Sequence, residues 1–174
     1  MRVRTLAYRS ILVPVADNPE TDRALDVAYR LASEHGARVT LLAVIEVPPL
    51  LPIDAQMRPE EQAAKELLAR ARSLAESFGV KAVERVARGR EAATPIVEAA
   101  VSERCELIVI GAPRRVRPRK TAPVFGHTTQ GVLRRAPCRT MVIAAPARVP
   151  VTSAPEWAGV PSSQSSSAAA QSSS

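Results

Sequence analysis

Two glycines bracket the stretch of this chain best suited to do chemistry. Gly111 closes a short apolar run, and Gly126 stands ahead of a segment with helical character. Between them lie Arg114, Arg115, Arg117, Arg119 and Lys120. Strand, glycine, basic loop and glycine at a helix start form a pattern suited to cradling phosphate. The first N–H groups of a helix have no intrahelical partner and attract anions, and a glycine lets a ligand approach the backbone. Thr128 adds a backbone N–H and a hydroxyl in the first helical turn. His127 has no catalytic acid or nucleophile near it in sequence, which a general base would need. Structural readings stand beside these. Gly111 serves a tight turn, Gly126 starts a helix, and the basic loop is either a solvated surface, a phosphate contact or a dock for an acidic partner or lipid.

Other chemistries lack their residues. No Gly-Lys-Ser/Thr occurs, so there is no P-loop, and no acidic pair is placed to hold Mg²⁺. Cys105 and Cys138 form no CxxC pair, and His35 and His127 complete no zinc spacing. We therefore expect no metal site and no catalytic residues, with slow hydrolysis of a bound nucleotide left open. Free thiols suit a reducing cytosol. No apolar run reaches the ~20 residues of a membrane span, and the start MRVRTLAYRS has no signal-peptide core. The expectation is a cytoplasmic chain without a transmembrane segment. Its net charge of +7 admits nucleic acid, acidic lipid or nucleotide phosphate as partners. Aromatics make up 3%, which argues against stacking on single-stranded nucleic acid. Nothing resembles a recognition helix, which argues against sequence-specific DNA binding.

The elements that must position these residues alternate in type. Residues 10–16 read as a buried strand, followed by Asp17, Asn18 and Pro19 as turn, cap and helix start. Ala24, Leu25, Val27, Ala28, Leu31 and Ala32 recur at helical spacing, and Gly36 ends that helix. Residues 38–47 form a second buried strand, and a loop with four prolines follows. A long helix opens at Pro59 and reaches Phe78 and Gly79, with Leu67, Leu68, Ala71, Leu74 and Ala75 as its apolar stripe. Residues 80–87 alternate weakly, as an edge strand does, and Gly89 turns the chain. Thr94 and Pro95 start a helix through Val101. A strand over 107–111, the helix opened by Gly126 and ended at Ala136, and a fifth strand over 139–144 complete the set.

Strand and helix thus alternate from first to last, which predicts a doubly wound α/β domain: a parallel sheet with helices on both faces. Ligands of such sheets sit beyond the carboxyl ends of the strands, where strand order reverses. The ends of the first and fourth strands, near Asp17 and Gly111, should lie side by side there. The domain is expected over residues 9–146. A basic N-terminal extension with Arg2 and Arg4 precedes it over 1–8. A disordered tail rich in Pro, Ser and Ala, holding Trp157, follows over 147–174.

Two segments carry a family resemblance. The opening ILVPVADNPETDRAL and the closing LIVIG…FGHTTQGVLRRAPC…VIAA resemble the two ends of the universal stress protein family, in the right order. The resemblance spans residues 9–145. It implies a five-stranded doubly wound sheet of order 3-2-1-4-5, a homodimer, and a stress-response role without robust catalysis. One branch of the family binds ATP; its motif is Gly-x-x-Gly, a loop, then Gly-Ser or Gly-Thr. Gly111 matches the first glycine, Arg114 replaces the second, Gly126 matches the third slightly late, and His127 replaces the Ser or Thr. Pro14 and Val44 match positions lining the adenine pocket. Ala16 stands where the family has an adenine-side Asp, with Asp17 beside it as the alternative polar contact.

The resemblance therefore implies a site for ATP or another adenine nucleotide built from Pro14, Ala16, Asp17, Val44, Ile110, Gly111, Arg114, Gly126, His127 and Thr128. Arg114 would clamp phosphate by charge-assisted hydrogen bonds. The alternative is a nucleotide-free module that docks to a transporter or an acidic partner, because similar domains follow the membrane part of some amino-acid permeases. The fifth strand, opening on Arg139 and closing on Ala144, would form the homodimer contact, burying Met141 and Ile143 or their alternates.

Overall fold

The computed structural model describes residues 7–113 and 125–145. Nine elements alternate along them: β1 (Ser10–Val15), α1 (Pro19–His35), β2 (Arg38–Glu46), α2 (Arg58–Ser77), β3 (Ala82–Gly89), α3 (Ala93–Ser102), β4 (Leu107–Gly111), α4 (His127–Arg135) and β5 (Arg139–Ile143). All strand pairs are parallel, in the order β3-β2-β1-β4-β5. The expected fold class and strand order hold. Residues 1–6 of the expected 1–8 extension, the loop residues Arg114, Arg115, Arg117, Arg119 and Lys120, and the tail with Trp157 lie outside the described residues.

Local chemistry sets the helix ends. Asn18 caps α1: its Oδ1 accepts from the Thr21 N–H at 2.8 Å, and Pro19 follows at the first turn. Gly36, at φ 64°, ends the helix in the left-handed conformation. At the end of α2, Gly79 takes φ 67°, its N–H donates to Glu76, and the Val80 N–H reaches back to Ala75. Val80 is buried in this closing turn, so β3 begins at Ala82, later than the sequence suggests. Gly89 is the last residue of β3, paired with Glu46, and not a turn.

Helices cover both faces of the sheet. On one side, Ala24, Leu25, Ala28 and Tyr29 of α1 and Ala64, Leu68, Ala71 and Ala75 of α2 bury against Ile11, Val13, Leu41 and Val109. Leu74, expected in the α2 stripe, is 38% exposed, and Ala64 belongs to the stripe instead. Tyr29 is fully buried; its hydroxyl donates to the Ala71 carbonyl at 2.6 Å, and its ring lies 5.7 Å from that of Phe78. On the other side, Ala93, Ile96 and Ala100 of α3 and Val132 of α4 pack on Leu12, Leu42, Ile108 and Ile110. Gly131 lets α4 approach α3: a Cβ there would stand 2.6 Å from that of Ala93. No helix among the described residues is long and apolar enough to cross a membrane.

Candidate functional site

Strand pairing opens a crevice at the centre of the sheet. β1 pairs with β2 along its whole length, to Val15 opposite Ala43. It pairs with β4 only through Ile11 and Leu12, opposite Leu107 and Ile108. Beyond that point the β1–β4 ladder stops, and Pro14, which has no N–H to give, lies in the unpaired part. This is also where strand order reverses, since β2 and β4 flank β1.

A cleft of about 870 Å³ sits over this opening. Its floor is the carboxyl ends of β1, β2 and β4, and its walls come from α2, from the starts of α3 and α4, and from the turn into α1. The volume suits a small organic ligand. Pro14, Ala16, Asp17, Val44, Ile110, Gly111, Gly126 and Thr128 all line it, although they come from four separate stretches of the chain. His127 does not: it is exposed and absent from the lining, whereas Thr128 and Thr129 contribute. A helix turns about 100° per residue, so the first position and the next two cannot all face one side. Arg114 lies outside the described residues.

The two glycines do different work. Gly111 is in β4, with no positive φ, and a Cβ there would stand 2.4 Å from the Glu20 carbonyl carbon and 2.5 Å from the Thr21 nitrogen. It is glycine because the first turn of α1 rests on it. Gly126 caps α4 with extended backbone, φ −67° and ψ 170°, and no side chain caps that helix. The first N–H groups of α4 thus begin at the cleft with the partial positive charge of a helix start.

Sequence reasoning missed the α2 wall, with Glu60, Ala63, Ala64, Glu66, Leu67 and Arg70, and also Glu46, Thr21 and Thr129. The signal for α2 was present in the spacing of 60, 63, 64, 67 and 70, one helical face. Arg70 Nη2 lies 3.4 Å from Asp17 Oδ1 across the cleft mouth. Both side chains are largely exposed, so the pair contributes ~0–1 kcal/mol. Glu46 Oε1 accepts from the Ala92 N–H at 2.9 Å, at the start of α3.

A second feature borders the cleft. Arg90 donates to the carbonyls of Val47, Pro48 and Leu51, and Arg88 to Ala55 and Glu61. Two arginines beyond or near the end of β3 therefore hold the proline-rich loop that carries the chain into α2. Far from the cleft, Cys105 is buried and Cys138 half-buried. Burial pushes the Cys105 thiol up, partly offset by the Ser10 hydroxyl that donates to it at 3.7 Å. Burial and the nearby Cys105 also raise Cys138. Thiols shifted this way are poor nucleophiles.

Parallel sheet, alternation of strand and helix, and a cleft at the switch point define a doubly wound α/β domain of the kind that holds ligands at its strand ends. The sequence model of the universal stress protein family matches residues 7–144, and the chain belongs to that family. Among solved structures, the universal stress protein UspA from Lactobacillus plantarum is similar at TM-score 0.63 and 22% identity, over 80% of this chain and 99% of that one. The universal stress protein from Archaeoglobus fulgidus in complex with dAMP gives 0.62 and 21%, over 79% and 99%. A family protein from Arabidopsis thaliana with AMP bound gives 0.60 and 18%, over 80% and 93%. No curated protein matched the chain.

Proposed function

We propose that this domain binds an adenine nucleotide, of the ATP or AMP type, in the switch-point cleft, and acts as a regulatory, largely non-catalytic stress-response protein of the cytoplasm. The observation that carries this reading is the convergence of eight expected site residues on one cleft of about 870 Å³. Relatives with AMP and with dAMP bound support it. Ala16, Asp17, Val44 and Pro14 form the nucleoside end. Ile110, Gly111, Gly126 and Thr128 form the phosphate end, where the α4 N-terminus supplies unpaired N–H donors. In this proposal Arg114 is the phosphate clamp, and His127 is the exposed first residue of α4. The working form in this proposal is a homodimer through β5.

One observation favours a second reading. Asp17, Glu46, Glu60 and Glu66 line the cleft, and Arg70 is the cation among its described lining residues. An acidic wall opposes an anionic ligand, and a nucleotide-free module docking to a transporter or an acidic partner would not need the cleft. Titration calorimetry with ATP, AMP, cyclic AMP and adenosine separates the two. Saturable binding of a nucleotide supports the first reading. No heat with any of them at millimolar concentration supports the second.

A further inference from the structure

Glu46 ends β2 at the lip of the cleft, and two constraints fix where its carboxylate stands. Along β2, Leu42, Val44 and Glu46 alternate onto one face of the sheet, the face covered by α3. Glu46 thus lies two residues beyond Val44 on the same side, about 7 Å along the strand. Its Oε1 is then held by the Ala92 N–H at 2.9 Å. That N–H is at the opening of α3, where no cap is provided by the helix's own side chains and the helix dipole favours an anion.

The second oxygen of Glu46 has no hydrogen-bond or ion-pair partner among the described residues. An oriented carboxylate with a free oxygen is an acceptor and cannot donate. It suits a ligand group bearing adjacent hydroxyls and repels one bearing phosphate. In dinucleotide-binding doubly wound sheets, an acidic residue about 20 residues past the glycine-rich turn accepts from the ribose 2′-OH.

Resting on the nucleotide reading above, we infer that Glu46 is a specificity-determining residue that accepts a hydrogen bond from the ribose diol of the bound nucleotide. The cleft then prefers ribonucleotides to their deoxy forms, and excludes nucleotides with a 2′- or 3′-phosphate. The acidic wall acquires a role in this account: it selects which end of the ligand carries charge.

The test compares AMP with 2′-deoxy-AMP and 3′-deoxy-AMP by calorimetry, in the wild-type chain and in Glu46→Ala and Glu46→Gln. A hydrogen bond to a charged acceptor corresponds to about tenfold or more in affinity. The wild type should prefer AMP over at least one deoxy form by about tenfold. Glu46→Ala should bring the ratio to about twofold or less, and Glu46→Gln, which keeps an acceptor for the Ala92 N–H, should give an intermediate ratio. Ratios within one protein cancel any change in overall charge or stability. A wild type without ribose preference overturns the inference but leaves the nucleotide reading standing. So does a ratio unchanged in both variants while the melting temperature falls, since Glu46 would then serve α3 alone. If AMP does not bind at all, both fail together.

Discussion

The backbone of Glu20 occupies the space that a side chain on Gly111 would need. A Cβ at Gly111 would stand 2.5 Å from the Glu20 carbonyl oxygen, a distance real structures do not show. Neither group can yield, because both are main chain, one in β4 and the other in the first turn of α1. Gly111→Ala should therefore destabilise the fold by about 2 kcal/mol or more, as overpacked sites do. Urea unfolding checks this. A variant as stable as wild type would show that α1 does not rest on β4.

Gly126 should behave in the opposite way. Its φ of −67° is open to any residue, so Gly126→Val should cost only about 1 kcal/mol, from the poorer cap. The branched side chain would, however, crowd the α4 N–H groups at the cleft. AMP affinity should fall about tenfold while adenosine affinity changes little. Equal losses for both ligands would remove the phosphate from the start of α4.

The buried Tyr29 phenol gives the fold a dependence on alkaline pH. Burial raises its pKa well above the ordinary value of 10.0. The folded state therefore holds the proton more tightly than the unfolded state. Its contribution is complete below pH 10 and is lost as pH rises from there toward the folded pKa, with a slope of about 1.4 kcal/mol per pH unit. Tyr29→Phe should cost about 1 kcal/mol at neutral pH through the lost bond to Ala71. It should also flatten the stability profile above pH 10 relative to wild type. Parallel profiles for the two proteins would contradict this.

The edge strand β5 carries the assembly prediction. It pairs with β4 on one side, and Met141 and Ile143 are only partly buried where they meet the core beneath α1 and α2. Antiparallel pairing of two such edges would satisfy the N–H and C=O groups that have no strand partner among the described residues. Sedimentation equilibrium should show a dimer at tens of micromolar, and Val142→Pro, lacking a donor in mid-strand, should give a monomer or an unfolded chain. A monomeric wild type would refute the pairing.

What the sequence disclosed follows the range of each interaction. The ends of α1 were legible because Asn18, Pro19 and Gly36 act on backbone groups within a few residues. The strand order followed from family resemblance and agrees with the pairing. The start of β3 was misplaced because Val80 belongs to the closing turn of α2, where a left-handed Gly79 binds it back to Ala75. Leu74 was misassigned because it lies at the edge of the helical face centred on Ala64, Leu68, Ala71 and Ala75, which are buried. The cap of Glu46 on Ala92 and the pair between Arg70 and Asp17 join residues far apart in the chain. No local pattern encodes them, and they appear only once the sheet has formed. Pro14 was read as a pocket residue; its place where the β1–β4 ladder stops needed the register.

The most direct test of the account is to map where AMP binds. Amide chemical shifts of the ¹⁵N-labelled chain, followed through an AMP titration, report on each described segment at once. The account predicts saturable changes at Ala16, Asp17, Val44, Gly111, Gly126 and Thr128, with β5 and the far ends of the helices unmoved. Spectra unchanged at millimolar AMP, or changes confined to β5 or the loop after β2, would contradict the central claim that the switch-point cleft is the nucleotide site.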